Sequence, residues 1–230
     1  WMWGTTGIGY NVAEIKKRMA DAPVDSLRMI FDPAVVSKFQ DCGVMLLDSA
    51  TDVLPAALKY LGLDPDSKKT EDLAKAADVV KAVRPFIRKF HSSEYINALA
   101  NGDACVVIGY SGDILQAADR AEEAGRGVEI AYAIPKEGSQ VWFDVFAIPA
   151  DAPNPEAAYK FLDFMLRPEV IAKASNYTAY ANANSAATPL VDEELRSDPN
   201  VYPTPEVFGR LFVTTTKDQA LVREVNRLWT

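Results

Sequence analysis

Apolar and polar positions along the 230-residue chain follow two periods. Short apolar runs at Val44–Asp48 and Cys105–Gly109 are bounded by turn residues and read as strands. The segment from Thr70 instead spaces Leu73, Ala77, Val80 and Ile87 by three, four or seven residues, the period of a helix that buries one face. Pro85 is expected to kink or end that helix, since proline has no amide donor for the ladder. Trp1–Tyr10 reads as a strand with a Gly-rich turn, in which Gly4, Gly7 and Gly9 permit the turn. Helices are expected at Val12–Ala20, from Asp32-Pro33 through Phe39, and at Thr51–Leu61. "INALANG" predicts a short helix closed by Gly102. The helix from Asp113 to Gly125 would turn Ile114, Ala118 and Ala121 inward.

The rhythm then changes. Val128–Ile134 and Val141–Ile148 read as two strands joined by "PKEGSQ" in a hairpin-like pair. Asn154-Pro155 caps a following helix, whose buried stripe would be Ala158, Phe161, Leu162 and Met165. A small-residue loop, "ANANSAATPL", and short helices complete the chain. Alternating strands and helices predict an α/β fold with a parallel or mixed sheet. The change to a strand pair with no intervening linker predicts passage from one lobe into another.

Composition narrows the function. A net charge of −8 argues against nucleic acid, whose phosphates require a basic face. No apolar run is long enough to span a bilayer as a helix. The chain opens on Trp1 with a strand at once, which predicts a fragment or processed product. Cys42 and Cys105 are too few for a cysteine-based zinc site. Cys42 precedes the strand Val44–Asp48, and Cys105 opens the strand Cys105–Gly109. If those strands are parallel neighbours, both thiols lie at one end of the sheet, as a disulfide or as two small buried side chains.

The candidate chemistry centres on Gly109-Tyr110-Ser111-Gly112-Asp113, which resembles a nucleophile elbow but carries Asp113 where the strained turn needs glycine. The single histidine, His91, precedes Ser111, contrary to the order of that fold, and reads as a structural residue at a helix end. "GTTGIG" does not fit the spacing of a dinucleotide loop. Asp113 starts a helix at the carboxyl end of a strand, where a neutral corner would favour an anion; the carboxylate reverses that preference towards a cation. In "VWFDVFAI", alternation sets Asp144 on one face with Trp142, Phe146 and Ile148. A carboxylate among aromatics needs either an arginine of the protein or a ligand ammonium. Tyr110 with Asp113, and Trp142 with Asp144, repeat one aromatic–acid combination suited to an organic cation.

These stretches resemble the periplasmic polyamine-binding proteins of bacterial ABC uptake systems. The resemblance is carried by "MWGTTGIGYN", "KFHSSEYINALANGDACVVIGYSGDI", "IPKEGSQVWFDVFAIPADAPNPEAAYKFLDFML" and "YANANSAATPLV". It implies a periplasmic binding protein-like α/β fold of two lobes joined by hinge strands. The first lobe would be incomplete in this chain, since the family has roughly a hundred further residues before "MWGTTGIGYN". Residues 1–127 would form the second lobe, 128–185 the returning part of the first, and 186–230 a C-terminal helical segment. The resemblance also implies that Tyr110, Trp142 and Tyr180 wall the ligand, that Asp113 and Asp144 hold its amines, and that Ser92 lies nearby. Thr51 stands at a family position that is often Glu, and Asp52 follows it. The implied protein is a non-enzymatic periplasmic subunit without a cofactor, monomeric when complete. It would pass putrescine, spermidine or a similar polyamine to an inner-membrane ABC permease. A binding protein for another small solute, and a serine hydrolase using Ser111, are the alternatives.

Overall fold

The computed structural model describes residues 1–230. Strand β1 (Met2–Asn11) is buried over most of its length because neighbours occupy both its edges. Its small residues follow from that position. Gly4, Gly7 and Gly9 lie inside this strand and form no turn, which corrects the expectation. At Gly4 a methyl group would stand 2.8 Å from the Trp142 ring, so glycine is required by close approach.

After β1 come α1 (Val12–Arg18), α2 (Arg28–Phe31) and α3 (Pro33–Val36), the last extended by a 3-10 turn at Ser37–Phe39. Asn11 and Asp32 cap α1 and α3 by accepting from the amides of Glu14 (3.1 Å) and Ala34 (3.0 Å). The next elements are β2 (Val44–Leu46), α4 (Ala50–Tyr60) and α5 (Thr70–Val83). Helix α5 ends before Pro85, as predicted, and Ile87 is buried beyond the helix. A two-residue strand, β3 (Lys89–Phe90), was too short to leave a periodic signal. Helix α6 (Glu94–Asn101) is closed by Gly102 at φ +80°, and β4 (Val106–Tyr110) leads into α7 (Ser111–Glu123). Helix α7 buries Ile114, Ala117 and Ala121 at spacings of three and four, and leaves Ala118 half-buried at the margin of that face.

The sheet is mixed, in the order β3-β2-β4-β1 followed by β5 (Ile130–Ala133). Strand β2 is parallel to β3 and β4, and β1 is antiparallel to β4. Cys42 and Cys105, preceding the parallel strands β2 and β4, form a disulfide with Cα atoms 5.5 Å apart. The expected hairpin is not formed. Strands β5 and β6 (Gln140–Phe143) instead lie end to end along β1, on the edge opposite β4. Both β4 and β6 pair with Thr6, which puts them on opposite edges there. Strand β7 (Ala181–Asn182) closes the remaining stretch at Met2–Trp3.

A continuous apolar core lies between the sheet and α4–α7, and a small separate one joins Met2 to Ile171, Ala172, Ala187 and Val191. The second includes α9 (Pro168–Thr178). Short helices α10 (Glu193–Ser197) and α11 (Pro205–Phe208) precede α12 (Gln219–Trp229), which returns Leu221 and Val225 to the main core. Helix α8 (Pro155–Met165) buries none of its residues. The predicted stripe is only partly covered: Ala158, Leu162 and Met165 are half-buried, while Phe161 stays 51% exposed although it meets Phe146 edge to face at 5.7 Å.

Candidate functional site

The register of three strands builds the floor of a cleft. On opposite edges of β1, Thr6 faces Tyr110 of β4 and Gln140 of β6, so these three side chains form one row. Two residues along β6, Trp142 sits across from Gly4, whose missing side chain admits the indole. Asp52 enters from the first turn of α4, Asp144 follows the end of β6, and Tyr180 precedes β7. Asp52, Tyr110, Gln140, Trp142, Asp144 and Tyr180 line a cavity of about 400 Å³. The aromatic rings meet edge to face, Tyr110–Trp142 at 5.6 Å and Trp142–Tyr180 at 5.2 Å between centroids.

Three carboxylates surround these rings, and none is within ion-pair distance of a lysine, arginine or histidine. Asp52 is only 8% exposed and accepts hydrogen bonds from the hydroxyls of Ser49 (2.5 Å), Thr6 (3.2 Å) and Tyr110 (3.3 Å). Its place in the first turn of α4 adds the favourable helix dipole. Asp113 is clasped by Tyr95 Oη (2.6 Å) and Tyr180 Oη (2.7 Å), and its amide donates back to Tyr180 Oη (3.2 Å). Burial, then the nearby carboxylates, raise the phenol pKa values of Tyr95, Tyr110 and Tyr180, which keeps these hydroxyls protonated as donors. Gly112 lets Tyr180 reach this position, since a methyl there would stand 2.7 Å from the ring.

Asp144 differs from its expectation. The β1–β6 ladder runs out where the Asp144 amide donates to Met2 O (2.8 Å), so Phe146 and Ile148 do not continue a strand face. The carboxylate is exposed, with no structural salt bridge. Asp113 lies behind Tyr180 and does not line the cavity. Thr51 is exposed and bonds Ser49 Oγ (3.1 Å), and Ser92 is exposed before α6; neither lines the cleft.

The hydrolase arrangement does not form. Ser111 Oγ is buried and accepts from the Thr5 amide (3.4 Å). His91 Nδ1 instead accepts from the amides of Ser93 (3.2 Å) and Glu94 (3.1 Å), capping α6. A second cavity of about 370 Å³ lies between α5 and α12, but its polar groups are engaged within the chain. Asp48 accepts from Trp229 Nε1 (3.0 Å), and Arg84 stacks over Phe90. Gln140 was missed by sequence reasoning. Its signal, a polar residue two positions before Trp142 in the same alternation, was present but indistinguishable from an exposed strand glutamine.

Residues 1–204 match the family model described as bacterial extracellular solute-binding protein. The chain is 50% identical over 232 aligned positions to the putrescine-binding periplasmic protein PotF of Escherichia coli K12, and 47% identical over 231 to the putrescine-binding periplasmic protein SpuD of Pseudomonas aeruginosa. Each alignment covers all of this chain and 63% of the relative, so the chain spans under two thirds of their length. Among solved structures, the spermidine/putrescine ABC transporter substrate-binding protein PotD of Streptococcus pneumoniae superposes with a TM-score of 0.80 at 27% identity. That superposition covers 100% of this chain and 66% of the other.

Proposed function

Because the chain belongs to the bacterial extracellular solute-binding proteins, we propose that its cleft captures a linear di- or polyamine outside the cytoplasm, without chemical conversion. Its mixed α/β architecture is the periplasmic-binding-protein fold of the matched PotD structure. The observation that carries the reading is a cleft that sets two cation-free carboxylates, Asp52 and Asp144, against three edge-to-face aromatic rings, with a third carboxylate, Asp113, directly behind Tyr180. Ammonium groups satisfy the carboxylates, while the rings cover the methylenes between them and attract the charge. An anion or a neutral sugar leaves the acids uncompensated.

Asp144 is the first contact in this reading, since it alone of the three has no hydroxyl bound to its side chain. Asp113 acts from behind Tyr180, as a charge held by hydroxyl donors, whereas Asp52 lines the cleft beside Tyr110 and keeps room for one further donor. The location is the periplasm and the receiving partner an inner-membrane ABC permease. Strand β1, which pairs with β4 and β5 at one end and with β6 and β7 at the other, is the hinge between two lobes.

Tryptophan fluorescence tests the reading. Trp142 is in the cleft, so putrescine or spermidine will give a saturable change that is lost in Trp142→Phe. A signal unmoved by excess of either amine contradicts it.

A further inference from the structure

The geometry points to Gln140 as a specificity-determining residue that, with Asp52, receives a primary ammonium end of the ligand; this inference rests on the amine reading above. Thr6 stands between Tyr110 and Gln140 in one cross-strand row, and both Thr6 and Tyr110 donate to Asp52. Gln140 therefore shares the sheet face on which the buried carboxylate sits. A carboxylate offers about four acceptor positions, and the Asp52 side chain already receives Ser49, Thr6 and Tyr110. It can take one further donor. A primary ammonium carries three N–H groups and so needs acceptors beyond Asp52.

Gln140 supplies such an acceptor. Its Oε1 is buried and receives no donor from any residue of the chain, an arrangement that costs free energy unless a ligand relieves it. The amide is held only by a long contact from Nε2 to Thr214 Oγ1 (3.4 Å), which leaves it free to turn its oxygen towards the cavity it lines. An ammonium bound between Asp52 and Gln140 then satisfies both. A tertiary ammonium, with one N–H, is satisfied by Asp52 alone and gains nothing from Gln140. The pair thus selects unsubstituted amine ends over alkylated ones.

The test is calorimetric titration of the full-length protein and of Gln140→Met with putrescine and with N,N,N′,N′-tetramethylputrescine. The wild type will prefer putrescine, and Gln140→Met will weaken putrescine about tenfold while changing the tetramethyl ligand less than about twofold, the scale of one hydrogen bond to a charged group. Equal weakening of both ligands would mean that Gln140 only supports the fold. That outcome, an unchanged putrescine affinity, or a wild type indifferent to methylation overturns the inference. The wild-type preference is read without any variant, so a poorly folding Gln140→Met does not shield it. A wild type that binds neither amine removes the amine reading itself, and the inference with it.

Discussion

Asp113 and Asp144 look alike in the sequence, an acid beside an aromatic, and the structure gives them different work. Asp113 accepts from Tyr95 and Tyr180, partners 18 residues before and 67 after it. Asp144 has an unpaired side chain at the end of the β6 ladder. Replacing it should therefore leave folding alone and act on ligand. For Asp144→Asn we expect amine affinity to fall about fivefold, the upper scale of one exposed ion pair, with an unchanged melting temperature. Asp113→Asn should lower the melting temperature too, since two tyrosine hydroxyls lose a charged acceptor. Titration and thermal melting of both variants check this; a melting loss in Asp144→Asn would show an unrecognised structural bond. The residue types of this site were legible from sequence because acids on apolar stretches are costly and need a reason. Their division of labour was not, because it depends on contacts between residues far apart in the chain. Gln140 escaped for the same reason, its meaning residing in the row it shares with Thr6 and Tyr110.

Elements with a local cause were the most legible. Helix α5 shows its 3.6-residue stripe and its proline stop, and α6 its closing glycine. Where the cause was a neighbour, expectation failed: the glycines of β1 make room for side chains arriving from elsewhere, and β5 and β6 pair with β1 instead of each other. A long-range tie also holds the C-terminal segment. Asp66, before α5, accepts from the Thr215 amide (3.0 Å) and hydroxyl (2.6 Å) and pairs with Lys68 and Lys217, anchoring the approach to α12. Burial opposes the Asp66 charge, but hydrogen bonds from Lys68 and Thr215 outweigh it and hold the carboxyl at about 2. A lowered folded-state pKa stabilises fully above the unfolded value near ~3.9 and is lost as pH falls towards about 2. Hydrogen exchange at the Thr215 amide should accordingly gain amplitude relative to the core of β4 between those pH values, and in Asp66→Asn at neutral pH. Equal protection of Thr215 in Asp66→Asn and wild type would mean that the tie does not hold the segment.

At the scale of the whole molecule, polar and apolar surfaces are unevenly distributed. Around β2, β4 and α4–α7 the core is continuous, whereas Phe143, Phe146, Phe161 and Phe164 are 54, 45, 51 and 46% exposed. Phe146 and Phe161 meet edge to face there, and exposed aromatics gathered in this way mark a surface suited to a partner. We expect residues 1–230 alone to bind a hydrophobic dye and self-associate, and both effects to fall when the unmatched portion of a relative is fused to them. Persistence of both would place the patch to another use. The fold class was readable from alternating elements, and the acid–aromatic pairs marked residues that gather in the cleft, but this exposed side was not, since an amphipathic stripe reports only that a helix has a face to cover. The central claim, that the cation-free acidic and aromatic cleft is a polyamine site, is tested most directly by calorimetry of the full-length protein. Saturable heat with putrescine or spermidine, and none with glutamate or maltose, is the predicted result. No heat with any di- or polyamine, while an amino acid or sugar binds, would contradict it.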